Sequence, residues 1–259
     1  MPACETAFKH RKVFIMKAYE WYIRRVSDML AEALTNQSEA LEAAAQLIFT
    51  SLRKGGMLYT FGTGHGHLLA EEVFYRAGGP VRVCPILDER LMLHLSASES
   101  TAWERKANIA DEVLSRYNLR LGDVLLIASN SGRNAAPVEM AALAQKRGIP
   151  VIALTNLRHS AGVTSRNALG KRLFEVASIV LDNCGVPGDA VWTAIDGSAV
   201  GPASTAVGAA LLQAMLCRVR ELSDQEGAAL EFFVSSNVDG GDEINERLIA
   251  ENRSEVPHL

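Results

Sequence analysis

Apolar residues recur along this chain in two rhythms. Residues 14–35 and 38–52 carry them at helical spacing and read as two amphipathic helices. Ser38 would cap the second, with Glu42 in its first turns, and Gly55-Gly56 would close it. Five short, nearly continuous apolar runs follow at 57–61, 81–85, 124–129, 151–155 and 179–183, the pattern of strands covered on both faces. Helical candidates separate them at 68–76, 103–117, 135–146 and around 167–174. A last long helix is expected over 202–222, with Pro202 near its first turn, where a missing N–H costs nothing. Strand and helix in turn imply parallel crossovers. The expected fold is therefore α/β, a three-layer α/β/α sandwich with a five-stranded parallel sheet and an N-terminal helical extension.

The strand ends carry the chemistry. After the third run comes Ser129-Asn130-Ser131-Gly132-Arg133-Asn134, which leads into a segment with apolar residues at Val138, Ala141 and Ala142. The first N–H groups of a helix lack partners and sit at the positive end of its dipole, so a corner this rich in hydroxyl and amide groups suits a phosphate. A helix needs one capping side chain. This corner offers several, which favours ligand binding by Ser129, Asn130, Ser131 and Asn134 over capping alone. Arg133 could add a charge-assisted contact or face solvent. A second corner, Phe61-Gly62-Thr63-Gly64-His65-Gly66-His67, ends the first run. Its alternating glycines match a dinucleotide fingerprint poorly, but Thr63 and Gly64 would bring backbone close to a ligand. In an open parallel sheet both corners belong to one crevice at the carboxyl ends of the strands.

Composition narrows the class. The 259 residues are 48% hydrophobic and 22% charged, with a formal net charge of -4, which argues against a nucleic-acid partner. Cys4, Cys84, Cys184 and Cys217 form no CxxC pair, so neither a zinc site nor a disulfide framework is expected, and a reduced cytoplasmic protein is the plain reading. The most apolar stretch, 201–217, includes Ser204, Thr205 and Gln213 and is short for a membrane span, so no membrane partner is expected. The chain divides into a leader (1–13), the helices (14–54), the main α/β region (55–222) and a tail (223–259). The tail's polar stretch 235–243 could close over its own site or a neighbour's.

Gly62-Thr63-Gly64 followed by Ser129-Asn130-Ser131-Gly132-Arg133-Asn134 resembles the sugar isomerase, or SIS, domain, over about residues 55–222. Ser235-Ser236-Asn237 with Gly240-Gly241-Asp242-Glu243 is similar to a bacterial subfamily of unassigned reaction. The resemblance implies a flavodoxin-like sheet, a bound phosphosugar and self-association as a homodimer or tetramer; no cofactor is expected. Phosphoheptose isomerase, the isomerase half of glucosamine-6-phosphate synthase and N-acetylmuramate-6-phosphate etherase are the enzymes it resembles in style. Two departures stand out. Gly64 occupies a position where several members carry a phosphate-binding serine, and 202–222 lacks the histidine of phosphoheptose isomerase.

An aldose–ketose isomerase needs a base and an acid. Glu72, His65 and His67 are the candidates, although the adjacent Glu71 and Glu72 are equally explained as partners of the helix dipole. A metal held by His65, His67 and Glu71 is permitted by spacing but not completed by a later histidine, so no metal is expected. Asp88 and Glu89 follow the second run as an ordinary solvated turn would, His94 sits in a long connection, and Ser204 and Thr205 suit a helix cap. The expected function is phosphosugar binding with isomerisation. The alternatives are an amino-sugar-phosphate lyase or etherase and a non-catalytic sensor.

Overall fold

The computed structural model describes residues 16–259; the leader 1–13, Cys4 and the first residues of the expected first helix lie outside them. Five strands form one parallel sheet: β1 (Leu58–Gly62), β2 (Val83–Ile86), β3 (Val124–Ala128), β4 (Val151–Thr155) and β5 (Ile179–Asp182). Their order is β2-β1-β3-β4-β5, with Leu58 opposite both Val83 and Val124. Every residue of β1, β3 and β4 is buried, which is why these strands read as unbroken apolar runs. Alternate side chains feed two cores. Leu58, Val124, Leu126, Ile152 and Leu154 point to one. Tyr59, Phe61, Leu125, Ile127 and Val151 point to the other.

The two helices expected at the start form one run, α1 (Ala18–Arg53), broken in backbone geometry only at Gln37 (φ -133°, ψ 18°). It ends as expected, with Gly55 at φ +78° and the Gly56 N–H on the Ser51 carbonyl at 2.9 Å. The first core lies between the sheet, α1, α2 (Gly66–Glu72) and α7 (Ser204–Gln225). Arg218 of α7 grips Glu42 of α1 through two hydrogen bonds, 2.8 and 2.9 Å.

On the other face lie α3 (Ala97–Glu104), α4 (Ile109–Leu114) and α5 (Ala135–Lys146). The last matches its expected bounds. The single helix expected over 103–117 is two, because Asn108 takes a left-handed conformation (φ +65°) and donates its N–H to Glu139. Around 167–174 there is a 3-10 turn, Leu173–Glu175, instead of a helix. Asn167 commits its carboxamide to the Arg133 and Lys171 carbonyls, which draws the chain into a loop. A short helix, α6 (Leu157–Ala161), precedes that loop.

Pro202 is not in the first turn of a helix. It ends β7 (Ala199–Pro202), which pairs with β6 (Ala190–Thr193) in an antiparallel hairpin, and α7 begins two residues later. Asp196-Gly197 makes the turn, with Gly197 at φ +83° and Asp196 accepting from the Ser198 N–H and hydroxyl. In the tail, Val81 donates to Glu231 and Phe233 to Gly79, so residues 231–233 pair with the segment that leads into β2, before α8 (Gly241–Asn252). No helix among the described residues is long and apolar enough to cross a membrane.

Candidate functional site

Two cavities open at the carboxyl end of the sheet. The larger, about 750 Å³, lies beyond β2 and is lined by Glu71, Asp88, Glu89, Arg90, His94, Arg116 and His258, among others. Its two arginines are already paired with acids. Asp88 accepts from Arg90 at 2.7 Å and from Arg116, and Arg90 also meets Glu112 at 2.8 Å. The smaller, about 400 Å³, lies across β1, β3, β4 and β5, and suits a small polar metabolite. Thr63, Gly64, His65, Ser129, Asn130, Ser131 and Asn134 all line it, so both sequence corners meet there as expected.

The first corner is an interlock. A Cβ on Gly62 would lie 2.2 Å from the Gly66 carbonyl oxygen, and one on Gly66 would lie 2.6 Å from that of Ala128, so β1, β3 and the start of α2 close to a distance only glycine permits. The second corner is a tight loop. Gly132 adopts φ +55°, and its N–H donates to Ser129 Oγ at 3.3 Å. The Ser129 hydroxyl thus holds the turn while keeping its own proton free to donate, and Ser131 stands half-exposed in the cavity.

Asn134 occupies the N-cap of α5 without making a side-chain cap bond, and its Oδ1 is buried without a partner. The residue three positions on is Pro137, which has no N–H to offer. The N–H groups of Ala135 and Ala136 have no preceding helical carbonyl to reach. The Ser129 and Ser131 hydroxyls and the Asn130 and Asn134 side chains form the polar end of the cavity.

The remaining lining comes from the ends of β4 and β5 and the start of α7. Asn130 Oδ1 accepts from Asn183 Nδ2 at 2.8 Å, tying the end of β3 to that of β5. Asn156 Oδ1 holds the N–H of His159 at 2.9 Å and sets α6, which presents His159 to the cavity. Asp189 Oδ1 accepts from the N–H groups of Ala203 (3.2 Å) and Ser204 (2.8 Å), and the Ser204 hydroxyl donates to Oδ2 at 2.5 Å. Glu104, at the end of α3, is the second carboxylate in the lining, and no described lining residue is Lys or Arg.

Of the residues singled out for acid/base work, the structure brings only His65 to this cavity. His67 is buried, its Nδ1 donating to the Gly64 carbonyl and its Nε2 3.6 Å from Glu71. Glu72 turns toward α7, where it accepts from Gln213 Nε2 at 3.2 Å and pairs with Arg76 at 3.0 Å. Arg133 reaches away to Thr164 Oγ1 at 3.0 Å. Ser204 and Thr205 line the cavity, with Ala203, not Ser204, at the N-cap.

Sequence reasoning missed Glu104, His159, Asn183 and Asp189. Asn156 and Asn183 each directly follow an apolar strand, and that repeat was a usable signal. Neither buried thiol is prepared for nucleophilic work, since burial pushes Cys84 up to about 12 and Cys184 to about 11. Among the described residues no group of three or more His, Cys, Asp or Glu side chains is placed to hold a metal.

A parallel sheet in this strand order, with a polar crevice at its carboxyl end, defines a doubly wound α/β protein with its crevice at the topological switch point. A family model described as the SIS domain matches residues 21–156, which includes most of α1. The chain belongs to the SIS domain family. It is 39% identical over 239 residues to the UPF0309 protein of Geobacillus thermodenitrificans (strain NG80-2), covering 92% of this chain and 96% of that protein.

Among solved structures, a phosphoheptose isomerase from Francisella tularensis shares the fold with a TM-score of 0.53 at 16% identity, over 77% of this chain and 95% of that one. The NanR protein of Vibrio vulnificus, complexed with ManNAc-6P, has a TM-score of 0.50 at 18% identity, over 94% of this chain and 70% of that one.

Proposed function

We propose that this chain binds a sugar phosphate in the smaller cavity and interconverts its aldose and ketose forms by proton transfer. The observation that carries the reading is the convergence of an anion corner (Ser129, Ser131, Asn134 and the start of α5) with one free carboxylate and two imidazoles, Glu104, His65 and His159, in a single cavity. The phosphate sits at the corner, where the Ser129 and Ser131 hydroxyls supply donors at the positive end of the α5 dipole without a cation. Glu104 takes the proton from the carbon beside the carbonyl and returns it to the neighbouring carbon. His65 exchanges a proton with the carbonyl and hydroxyl oxygens, so that the enediol forms and collapses with no net change in protons. Family membership, and a fold shared with a phosphoheptose isomerase and with a NanR protein crystallised with ManNAc-6P, support the phosphosugar.

The test is a thermal-shift screen of sugar phosphates against the same sugars without phosphate, repeated on Ser131→Ala, because stabilisation follows affinity. Hits are then incubated in D2O and followed by NMR. Isomerisation with deuterium entering at the carbons flanking the carbonyl, lost in Glu104→Gln, supports the reading. Loss of a substituent instead indicates an etherase or lyase using the same base. A ligand that stabilises the protein and is never altered makes it a sensor.

A further inference from the structure

We infer that Asp189 restricts this cavity to sugar phosphates with a single anionic group, and that phosphorylated sugar acids and sugar bisphosphates are shut out. The inference rests on the phosphosugar reading above and adds its charge specificity. The cavity has two unlike ends. α5 and α7 pack on opposite faces of the sheet, yet Asn134 at the start of one and Ser204 at the start of the other line the same cavity. A ligand that fills it spans the carboxyl edge of the sheet from one helix start to the other.

Left alone, the start of α7 would be a second anion site. It is already occupied by the protein's own carboxylate. Asp189 takes the N–H groups of Ala203 and Ser204 and the Ser204 hydroxyl, and it does so from a left-handed backbone conformation, φ +73°, that aspartate adopts only occasionally. Three hydrogen bonds and the helix dipole hold the carboxylate in place. Glu104 adds a second negative charge to the lining, and no described lining residue is Lys or Arg to offset either. The α5 end can neutralise one phosphate. At the α7 end hydroxyl or ammonium donors find acceptors, whereas a carboxylate or second phosphate meets fixed like charge. At an effective dielectric constant of about 20 and a separation of roughly 6–12 Å, that repulsion weakens binding on the order of tenfold to a hundredfold.

The experiment measures affinities by calorimetry for glucose 6-phosphate, glucosamine 6-phosphate and fructose 6-phosphate against 6-phosphogluconate and fructose 1,6-bisphosphate. The wild-type protein and Asp189→Asn are compared. Asparagine tolerates positive φ and keeps an oxygen for the two N–H groups while removing the charge. Asp189→Gly, also at ease at positive φ, is the second variant should the first fail to fold. Wild-type binding of monophosphates at least tenfold tighter than the doubly anionic compounds, with the gap closing in either variant, is the expected result. Equal affinities in the wild type, or a gap that survives both substitutions, overturns the inference and leaves the phosphosugar reading standing. If no compound of the panel binds, the phosphosugar reading falls and takes this one with it.

Discussion

The Gln37 carboxamide binds both backbone groups of Asp182, its Nε2 donating to the carbonyl at 2.6 Å and its Oε1 accepting from the N–H at 2.5 Å. β5 is the last strand of the sheet, so its outward N–H and C=O would otherwise have no strand beside them. Gln37 serves as one residue of that missing strand, and the non-helical backbone inside α1 is the conformation that delivers it. Gln37→Ala is expected to lower stability by about 1–3 kcal/mol, the range for unpairing half-buried backbone groups, as read from urea denaturation with an unchanged slope. Gln37→Glu should cost at least as much, because a carboxylate opposes the Asp182 carbonyl oxygen.

That contact shows where sequence patterning stops. The change of helical phase near Thr35–Ser38 was visible as a boundary between two helices, but its cause lies 145 residues away. The five strands were legible to within two residues because burial on both faces leaves only apolar side chains. The Ser129–Asn134 corner was legible because its hydroxyls and glycine are consecutive. The facing of His67 and Glu72 was not, since it depends on how Gly62 interlocks with Gly66 and on where Gln213 of α7 lies. The β6–β7 hairpin had a signal in Asp196-Gly197, obscured by the apolar run that follows it. Asp189 had none, because its role depends on a backbone conformation and on a helix start fourteen and fifteen residues on.

Gly132 tests the anion corner without touching a charge. At φ +55° any Cβ is strained, and one here would lie 3.0 Å from Leu173 Cβ and 3.2 Å from Ser160 Oγ. Gly132→Ala should cost about 1–2 kcal/mol from the left-handed backbone alone. It should also displace the N–H that Ser129 holds, so the ligand-induced rise in Tm should shrink more than the Tm of the unliganded protein falls. A variant that loses stability but keeps the full ligand shift would separate the loop from phosphate binding.

Asp88 makes a prediction about acid. Burial by itself raises the carboxyl, but hydrogen bonds from the Arg90 and Arg116 side chains and the Arg90 N–H outweigh that and hold it at about 2, below its ordinary 3.8. A group depressed in the folded state stabilises above its unfolded pKa and loses that contribution as pH falls toward the folded one. The side chain is only 3% exposed, so the stabilisation is not screened away, and a shift of this size is worth roughly 2 kcal/mol. Stability measured by denaturation from pH 5 to pH 2 should therefore fall. In Asp88→Asn it should start lower and fall less steeply. Parallel curves for the two proteins would contradict this account.

The N-terminal half of α1 carries the last prediction, which concerns self-association. Tyr19, Ile23 and Leu34 are 62%, 62% and 68% exposed on a helix whose other face, through Met29 and Ala33, is buried in the core. Trp21 donates to the Val191 carbonyl and Tyr22 to that of Pro202, so the helix is clamped to the β6–β7 hairpin and its outward side chains cannot turn in. Large apolar groups fixed outward on a rigid surface mark a contact surface. We propose a second copy of this chain as the occupant, with two such helices packed across a two-fold axis, so that each residue on one copy is met from the other. Light scattering should give at least a dimeric mass for the wild type. Ile23→Asp should give a monomer of unchanged helical content, because the substituted side chain does not enter the core. A wild-type mass of one chain, or an Ile23→Asp protein of undiminished mass, would remove α1 from the interface.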